Sequence, residues 1–492
     1  MRRTASAALA LLAALGCARP EPALVPGRTS VLLVILDTLR ADHLGAWGYP
    51  HPTSPGLDRL AREGIVFEWT FSNCSWTRPS IGSLLTGLHP RTTGIEEEEF
   101  DRLPAELTTL AERFRDAGYL TLGLTANPNV DAKFGFDQGF QEYADAGGAW
   151  PWQQAGAPRA ARPKATRHLD SATRVTDQTL AALDHHAEAL ARAPFYLQVL
   201  YVDPHDPYEA PEPYRAGLDS PSAAYDAEIR YVDAELTRLL DGLRARGLLE
   251  DTLVLVTSDH GEGLDSHGDL PRADKHGHTL FDSVTHVPLL LWHPRLAPAR
   301  VPALTQLLDV APTLAELFRL PAADLPGSSL VPYFTDPGRA SAHDVVVSET
   351  GWRYVAKLSL RTATHRYLRN DDAARFRRDG SYEGRNARTG VAPHLEALPD
   401  QELHARGPGA PFELPRRNDL LATLPELAAD LERALETWER RHPPRPPENR
   451  SAEDALTLGD GTVVPTPGTV APATMDPETL ARLQALGYLG GE

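Results

Sequence analysis

The sequence predicts an α/β fold: a mostly parallel sheet flanked by helices, followed by a smaller C-terminal α+β subdomain. Three observations lead there. Residues 31–36, 195–202 and 253–257 are continuous apolar runs, the pattern of strands buried on both faces. Residues 171–193 and 223–246 carry helical spacing and precede the second and third runs; strands alternating with helices build βαβ units. From about Asp344 the pattern changes to short strands at 344–348 and 354–360, then a polar, Arg-rich stretch, then a helical period over 420–441.

In chain order, Arg2 and Arg3 precede an apolar run over residues 5–15, which ends at Gly16-Cys17. That run is too short to span a bilayer and reads as a targeting segment over 1–16. Cys17 stands where a bacterial lipoprotein is cleaved and lipidated; the alternative is an ordinary secretory peptide with a chance cysteine. Residues 17–29 are Pro-rich and read as a tether. A large domain then covers 30–340. Within it, residues 103–117 show helical spacing, and 144–168, rich in Ala, Gly, Pro and Trp, read as an irregular loop carrying Trp150 and Trp152. The subdomain and an extended tail fill 341–492, with a short helix expected within 476–491. On the lipoprotein reading, the protein is expected in a bacterial cell envelope, exported and lipid-anchored to the membrane.

The 492 residues are 42% hydrophobic, enough for a large core. The net charge is −18, and loss of Arg2 and Arg3 with the leader takes it to −20. Such a surface repels nucleic-acid phosphates, so no nucleic-acid partner is expected. Only four lysines occur, at 133, 164, 275 and 357, which draws attention to Lys275 beside His276. If Cys17 is lipidated, Cys74 is the remaining cysteine and no disulfide is available.

Chemistry in open α/β sheets gathers beyond the carboxyl ends of the strands. Here the three apolar runs end in Asp37-Thr38-Leu39-Arg40, Asp203-Pro204-His205-Asp206 and Ser258-Asp259-His260-Gly261-Glu262. A single such Asp is more often a cap or a turn residue. Three acidic ends, two of them with histidine, would repel one another without a cation, so a bound divalent metal is the economical reading. A fourth element is Cys74-Ser75-Trp76-Thr77-Arg78-Pro79-Ser80, running on to Gly87. Pro79 suits the first turn of a helix and Gly87 its end. Thr77 then stands at or beside the helix start, either as a simple cap or as a hydroxyl nucleophile facing free N–H groups.

With these segments the chain resembles the sulfatase family of the alkaline phosphatase superfamily. The resemblance rests on Leu36 to Gly45, Ser80 to Gly87, Phe134-Gly135-Phe136-Asp137 and Tyr201 to Tyr208. It continues through Tyr225-Asp226-Ala227-Glu228, Ser258 to Glu262 and His276 to Asp282. It implies an alkaline-phosphatase-like α/β catalytic domain with a small C-terminal sheet domain, and metal-dependent hydrolysis of anionic phosphate or sulfate esters.

The chain departs from the sulfatase pattern at the nucleophile. The family cysteine that becomes formylglycine stands ten residues before the glycine of Leu-Thr-Gly; here that position is Thr77, while Ile81 replaces the motif arginine. Cys74 is three residues out of register and reads as a small packed side chain. The family's Gly-Lys-Trp-His segment becomes Gly123-Leu124-Thr125-Ala126, and Gly277 replaces a lysine, with Lys275 and His276 just upstream. Asp37-Thr38 replaces Asp-Asp, and Asp259-His260 replaces Asp-Asn; the imidazole favours zinc or manganese over calcium or magnesium.

The resemblance then implies a metal held by Asp37, Thr77, Asp259 and His260, with Thr77 as nucleophile and His205 and His276 as acid–base groups. Asp203, His205, His276, Lys275 and Arg78 are candidates for a second metal or for substrate contact, and His267 is a weaker one. Three functions remain open on sequence: a threonine-nucleophile phosphoesterase or phosphotransferase, an arylsulfatase-type sulfuric ester hydrolase that would need conversion of Cys74, and a non-catalytic envelope protein binding anionic glycans or lipids.

Overall fold

The computed structural model describes residues 24–95, 101–145, 150–154, 171–264, 276–323, 325–351, 356–371, 400–405 and 419–445, with two short strands further on. Cys17, His267, Lys275 and the helix expected within 476–491 lie outside the described residues. So do the leader and most of the tether.

An eight-stranded sheet forms the centre of the large domain. Its strands are β1 (Ser30–Leu36), β2 (Ile65–Phe71), β3 (Leu120–Thr125), β4 (Glu142–Ala144), β5 (Phe195–Tyr201), β6 (Thr252–Thr257), β7 (His286–Trp292) and β8 (Ala299–Gln306). The spatial order is β4-β3-β5-β1-β6-β7-β2-β8. Only β7 runs against the others, being antiparallel to both β6 and β2. Strand β1 sits in the middle, parallel to β5 and β6. Its side chains alternate between two cores: Val31, Leu33 and Ile35 on one face, Leu32, Val34 and Leu36 on the other. Both faces are covered, so an unbroken apolar run is what this strand requires. Each such side chain contributes roughly 1.5–3 kcal/mol of burial.

The covering helices are α1 (Pro55–Glu63), α2 (Thr77–Thr86), α3 (Leu110–Asp116), α4 (Ser171–His185), α5 (Ala187–Leu190), α6 (Ala223–Ala245) and α7 (Val310–Phe318). The helical period read over 103–117 yields a helix only from Leu110. Thr109 caps it through a capping box with Glu112, while Leu103 donates its N–H to the Phe134 carbonyl instead of entering the helix. The long helix read over 171–193 is interrupted at His186, between α4 and α5.

A second sheet is antiparallel, in the order β12-β11-β10-β9. Its strands are β9 (Val346–Thr350), β10 (Lys357–Arg361), β11 (His365–Asn370) and β12 (Gln401–Ala405). The first two start two and three residues later than the sequence pattern suggests. Helix α8 (Pro425–Arg441) packs on this sheet through Ala428, Leu431, Leu435 and Trp438, spaced at helical period. No helix among the described residues is long and apolar enough to cross a membrane.

Candidate active site

The carboxyl ends of β1 and β6 lie side by side because these strands pair directly. Asp37 continues the β1 ladder, its N–H donating to the Tyr201 carbonyl at 3.0 Å. Thr38 then takes φ 57°, a left-handed conformation costly for a β-branched residue. Its surroundings impose it: Thr38 N–H donates to Asp259 Oδ1 at 3.2 Å, Leu39 N–H to Ser258 Oγ at 2.9 Å, and the Tyr225 hydroxyl to the Thr38 carbonyl at 2.7 Å. The strained turn points Asp37 at Asp259.

Asp37, Asp259 and His260 are fully buried and form a cluster whose ligand atoms lie within 4.8 Å of one another. His260 Nε2 stands 3.4 Å from Asp259 Oδ2 and 3.8 Å from Asp37 Oδ1. His260 Nδ1 donates to the Gly261 carbonyl at 2.9 Å, which leaves Nε2 as the ring atom facing the two carboxylates. Asp259 Oδ1 is occupied by two backbone N–H groups, those of Thr38 and His260. Asp37 Oδ1 and Asp259 Oδ2 are buried with no hydrogen-bond partner. Burial, followed by the neighbouring Asp259, drives the Asp37 carboxyl well above the usual range. Two buried carboxylates and an imidazole nitrogen converging in this way fit a divalent cation, which would supply the missing positive charge.

Thr77 opens α2, whose ten residues are all buried, with Trp76 as N-cap and Gly87 closing the helix at φ 73°. Its Oγ1 lies 3.3 Å from His260 Nε2 and 3.4 Å from Asn127 Nδ2. Ser80, one turn on, donates to the Asp259 carbonyl at 2.7 Å and locks the helix to the end of β6. Cys74 lies outside this cluster. It pairs with Glu349 in a parallel bridge, and burial raises its thiol far above the usual value.

His276 and His205 reach the same rim. The His276 ring centre is 4.9 Å from that of His260 and 4.9 Å from that of His205. His276 Nδ1 donates to Glu262 Oε1 at 3.1 Å, and the Tyr208 hydroxyl holds the other Glu262 oxygen at 3.0 Å. His205 Nδ1 donates to the Asp206 carbonyl at 2.6 Å; burial, with His276 beside it, pushes its pKa down to about 3.

Two candidates face elsewhere. Asp203 accepts from Ser171 Oγ at 2.5 Å and is hydrogen-bonded to Glu228; burial raises both carboxyls. Among the described residues it belongs to no metal-type cluster with His205 and His276. The Arg78 guanidinium donates to the Asn129 carbonyl and side chain and to the Asp101 carbonyl, and lies 3.7 Å over the Phe134 ring. It holds the 127–134 segment and is not directed at an anion above Thr77. The tryptophans of the segment read as an irregular loop are also engaged. Trp150 is buried and donates to the Gln178 carbonyl, and Trp152 stacks on His185.

Sequence reading missed two residues. Asn127 Nδ2 donates to Asp37 Oδ2 at 2.5 Å. It follows β3, whose Leu residues alternate with Thr and Gly, and precedes Pro128; the Asn-Pro pair is a turn signal that marks this strand end. Glu262 stands inside a recognised motif, but its pairing with His276 depends on tertiary structure.

The sulfatase family pattern matches residues 29–320. Choline-sulfatase of Rhizobium meliloti is 24% identical over 408 residues, covering 67% of this chain and 78% of the relative. Arylsulfatase A of Bos taurus is 29% identical over 383 residues, covering 68% and 72%. Among solved structures, a phosphonate monoester hydrolase from Silicibacter pomeroyi superposes with a TM-score of 0.64 at 20% identity, covering 89% of this chain and 99% of that one.

Proposed function

The chain belongs to the sulfatase family and is an ester hydrolase; from that premise we propose that it cleaves phosphate esters with Thr77 as nucleophile and a divalent metal as cofactor. The observation that carries this reading is the placement of Thr77 Oγ1, 3.3 Å from His260 Nε2 at the start of a buried helix. Asp37, Thr77, Asp259 and His260 would hold the metal, zinc or manganese by donor set. Such a cation acts as a Lewis acid that lowers the pKa of a hydroxyl bound to it.

Thr77 Oγ1 releases its proton to solvent and attacks phosphorus in line, forming a Thr77 O–P bond as the bond to the leaving alcohol breaks. The opening N–H groups of α2 face the oxygens that gain charge. His276 acts as an imidazolium: Nδ1–H is held by Glu262, and Nε2–H gives its proton to the leaving oxygen, leaving the neutral ring. His205, neutral at pH 7, packs beside it and keeps a second positive charge away. Water then releases phosphate from Thr77.

A second reading, sulfate ester hydrolysis, is favoured by the names of the relatives, choline-sulfatase and arylsulfatase A. It would place the chemistry on a converted Cys74, whose buried side chain is not part of the Asp37, Asp259 and His260 cluster. Family membership sets aside a binding role without turnover. The test compares turnover of aryl phosphate monoesters, diesters, phosphonates and sulfates by wild type, Thr77→Ala and Cys74→Ala. Thr77→Ala should lose at least about 10³-fold on every ester cleaved, and Cys74→Ala should stay near wild type. Full activity in Thr77→Ala, or loss in Cys74→Ala with a formylglycine mass at Cys74, would reverse the assignment. We also propose export to the bacterial envelope with lipid anchoring at Cys17, on the leader sequence alone.

A further inference from the structure

We infer that Glu142, His185 and His186 form a second cation site, suited to zinc, away from the active-site rim. Glu142 opens the edge strand β4, His185 ends α4, and His186 is the residue that interrupts the helix before α5. One ligand atom from each lies within 4.8 Å of the others. His186 Nε2 stands 3.3 Å from Glu142 Oε2. Two ligands bound to one zinc at about 2.0–2.2 Å in tetrahedral array stand roughly 3.3–3.6 Å apart, so this pair already has ligand spacing.

Both atoms are buried, and neither makes a hydrogen bond. A buried carboxylate oxygen and imidazole nitrogen left this way are costly unless a cation joins them. The third ligand is pre-oriented: the His185 ring stacks on Trp152 at 4.1 Å and 9° and meets His186 edge-on at 4.8 Å. The carbonyl end of α4, fifteen residues long, adds a favourable field for positive charge. Two imidazoles and one carboxylate match zinc and discriminate against calcium and magnesium, which prefer oxygen donors. The Glu142 and His186 side chains are 24% and 14% exposed, so an ion can enter and keep a water as its fourth ligand.

Helix α4 leads towards the start of β5, so its last residues lie at the end of the sheet opposite the rim. The site would clip a three-residue edge strand to the broken helix. It takes no part in ester cleavage.

Metal-depleted full-length protein is equilibrated with excess zinc, desalted, and its zinc counted by elemental analysis. Glu142→Gln and His186→Ala should each hold one equivalent less than wild type with ester turnover unchanged. Asp259→Asn should lose the rim ion and keep this one, and zinc should raise its unfolding midpoint by about 2 °C or more. That rise should vanish when Glu142→Gln is added. Should His186→Ala fail to fold, Glu142→Gln and His185→Gln carry the same count. Equal zinc content in wild type and Glu142→Gln, or a zinc-induced rise that survives loss of Glu142, would overturn the proposal.

Discussion

Replacing Asn127 with alanine should weaken metal binding at the rim by about 10- to 100-fold without unfolding the protein. Asn127 Nδ2 donates to Asp37 Oδ2 at 2.5 Å, both groups fully buried. A hydrogen bond to a charged, buried acceptor contributes about 1.5–3 kcal/mol, and about 1.4 kcal/mol corresponds to tenfold in an equilibrium constant. Removing groups that orient a metal ligand costs about the same range. Asp37 would lose the interaction that favours its ionised form against burial and Asp259. Its carboxylate would bind a proton more readily and a cation less readily. Asn127 also caps a short turn, its Oδ1 accepting from Asn129 N–H at 2.9 Å, so stability should fall by about 1 kcal/mol independently of metal. The assay titrates metal-depleted wild type and Asn127→Ala with manganese or zinc and follows aryl ester turnover. Thermal unfolding without metal measures the cap loss separately. Half-saturation at the same free metal concentration in both proteins, with the variant folded, would refute this account of how Asp37 is oriented.

Two further outcomes are expected. Glu228→Gln should stabilise the protein increasingly as pH rises: burial, then Asp203, pushes the Glu228 carboxyl up to about 9, so between its ordinary value and that one the unfolded chain releases a proton the folded chain keeps. Wild type therefore loses up to about 1.4 kcal/mol per pH unit in that window, a loss glutamine avoids; unfolding midpoints that run parallel from pH 5 to 8 would contradict it. Cys17→Ser should move the expressed protein from the membrane fraction to the soluble envelope fraction and remove the acyl mass from its N-terminus; an unchanged distribution would sink the proposed anchor.

The rim was legible in the sequence because its strands are. β1, β5 and β6 are buried on both faces, so their ends are marked by the abrupt change to Asp37, Asp203 and Asp259. The register of Thr77 against Gly87 was legible because Pro79 and Gly87 fix the helix between them. Strand ends alone could not show direction. Asp203 sits at a strand end like the other two, yet Ser171 and Glu228 take its carboxylate. Arg78 adjoins Thr77 in sequence, but its side chain crosses to Asn129 and Asp101. Strands β2 and β8 escaped notice because Glu68 and Arg300 interrupt their apolar pattern and pair only in the folded sheet, and β7 because Pro288 breaks its apolar run.

The small sheet has a role at the rim that its composition does not advertise. Its edge strand β9 runs beside the segment leading into α2: Glu349 N–H donates to the Asn73 carbonyl at 2.9 Å, and Ser348 Oγ to the Ser72 carbonyl at 2.5 Å. The same edge holds the approach to His276. Thr350 Oγ1 donates to the Gly277 carbonyl at 2.6 Å, and Lys357 Nζ on β10 to the His278 carbonyl at 2.7 Å. Gly277 N–H in turn donates to the Ser75 carbonyl at 2.8 Å. The β9 edge, which would otherwise expose unpaired backbone groups, together with Lys357 on β10, therefore sets the helix of Thr77 and the loop of His276 in a common register. Cys74 is buried in the same segment, where its backbone bridges Glu349. The cysteine lies close to the chemistry in sequence because it belongs to the clamp that positions Thr77.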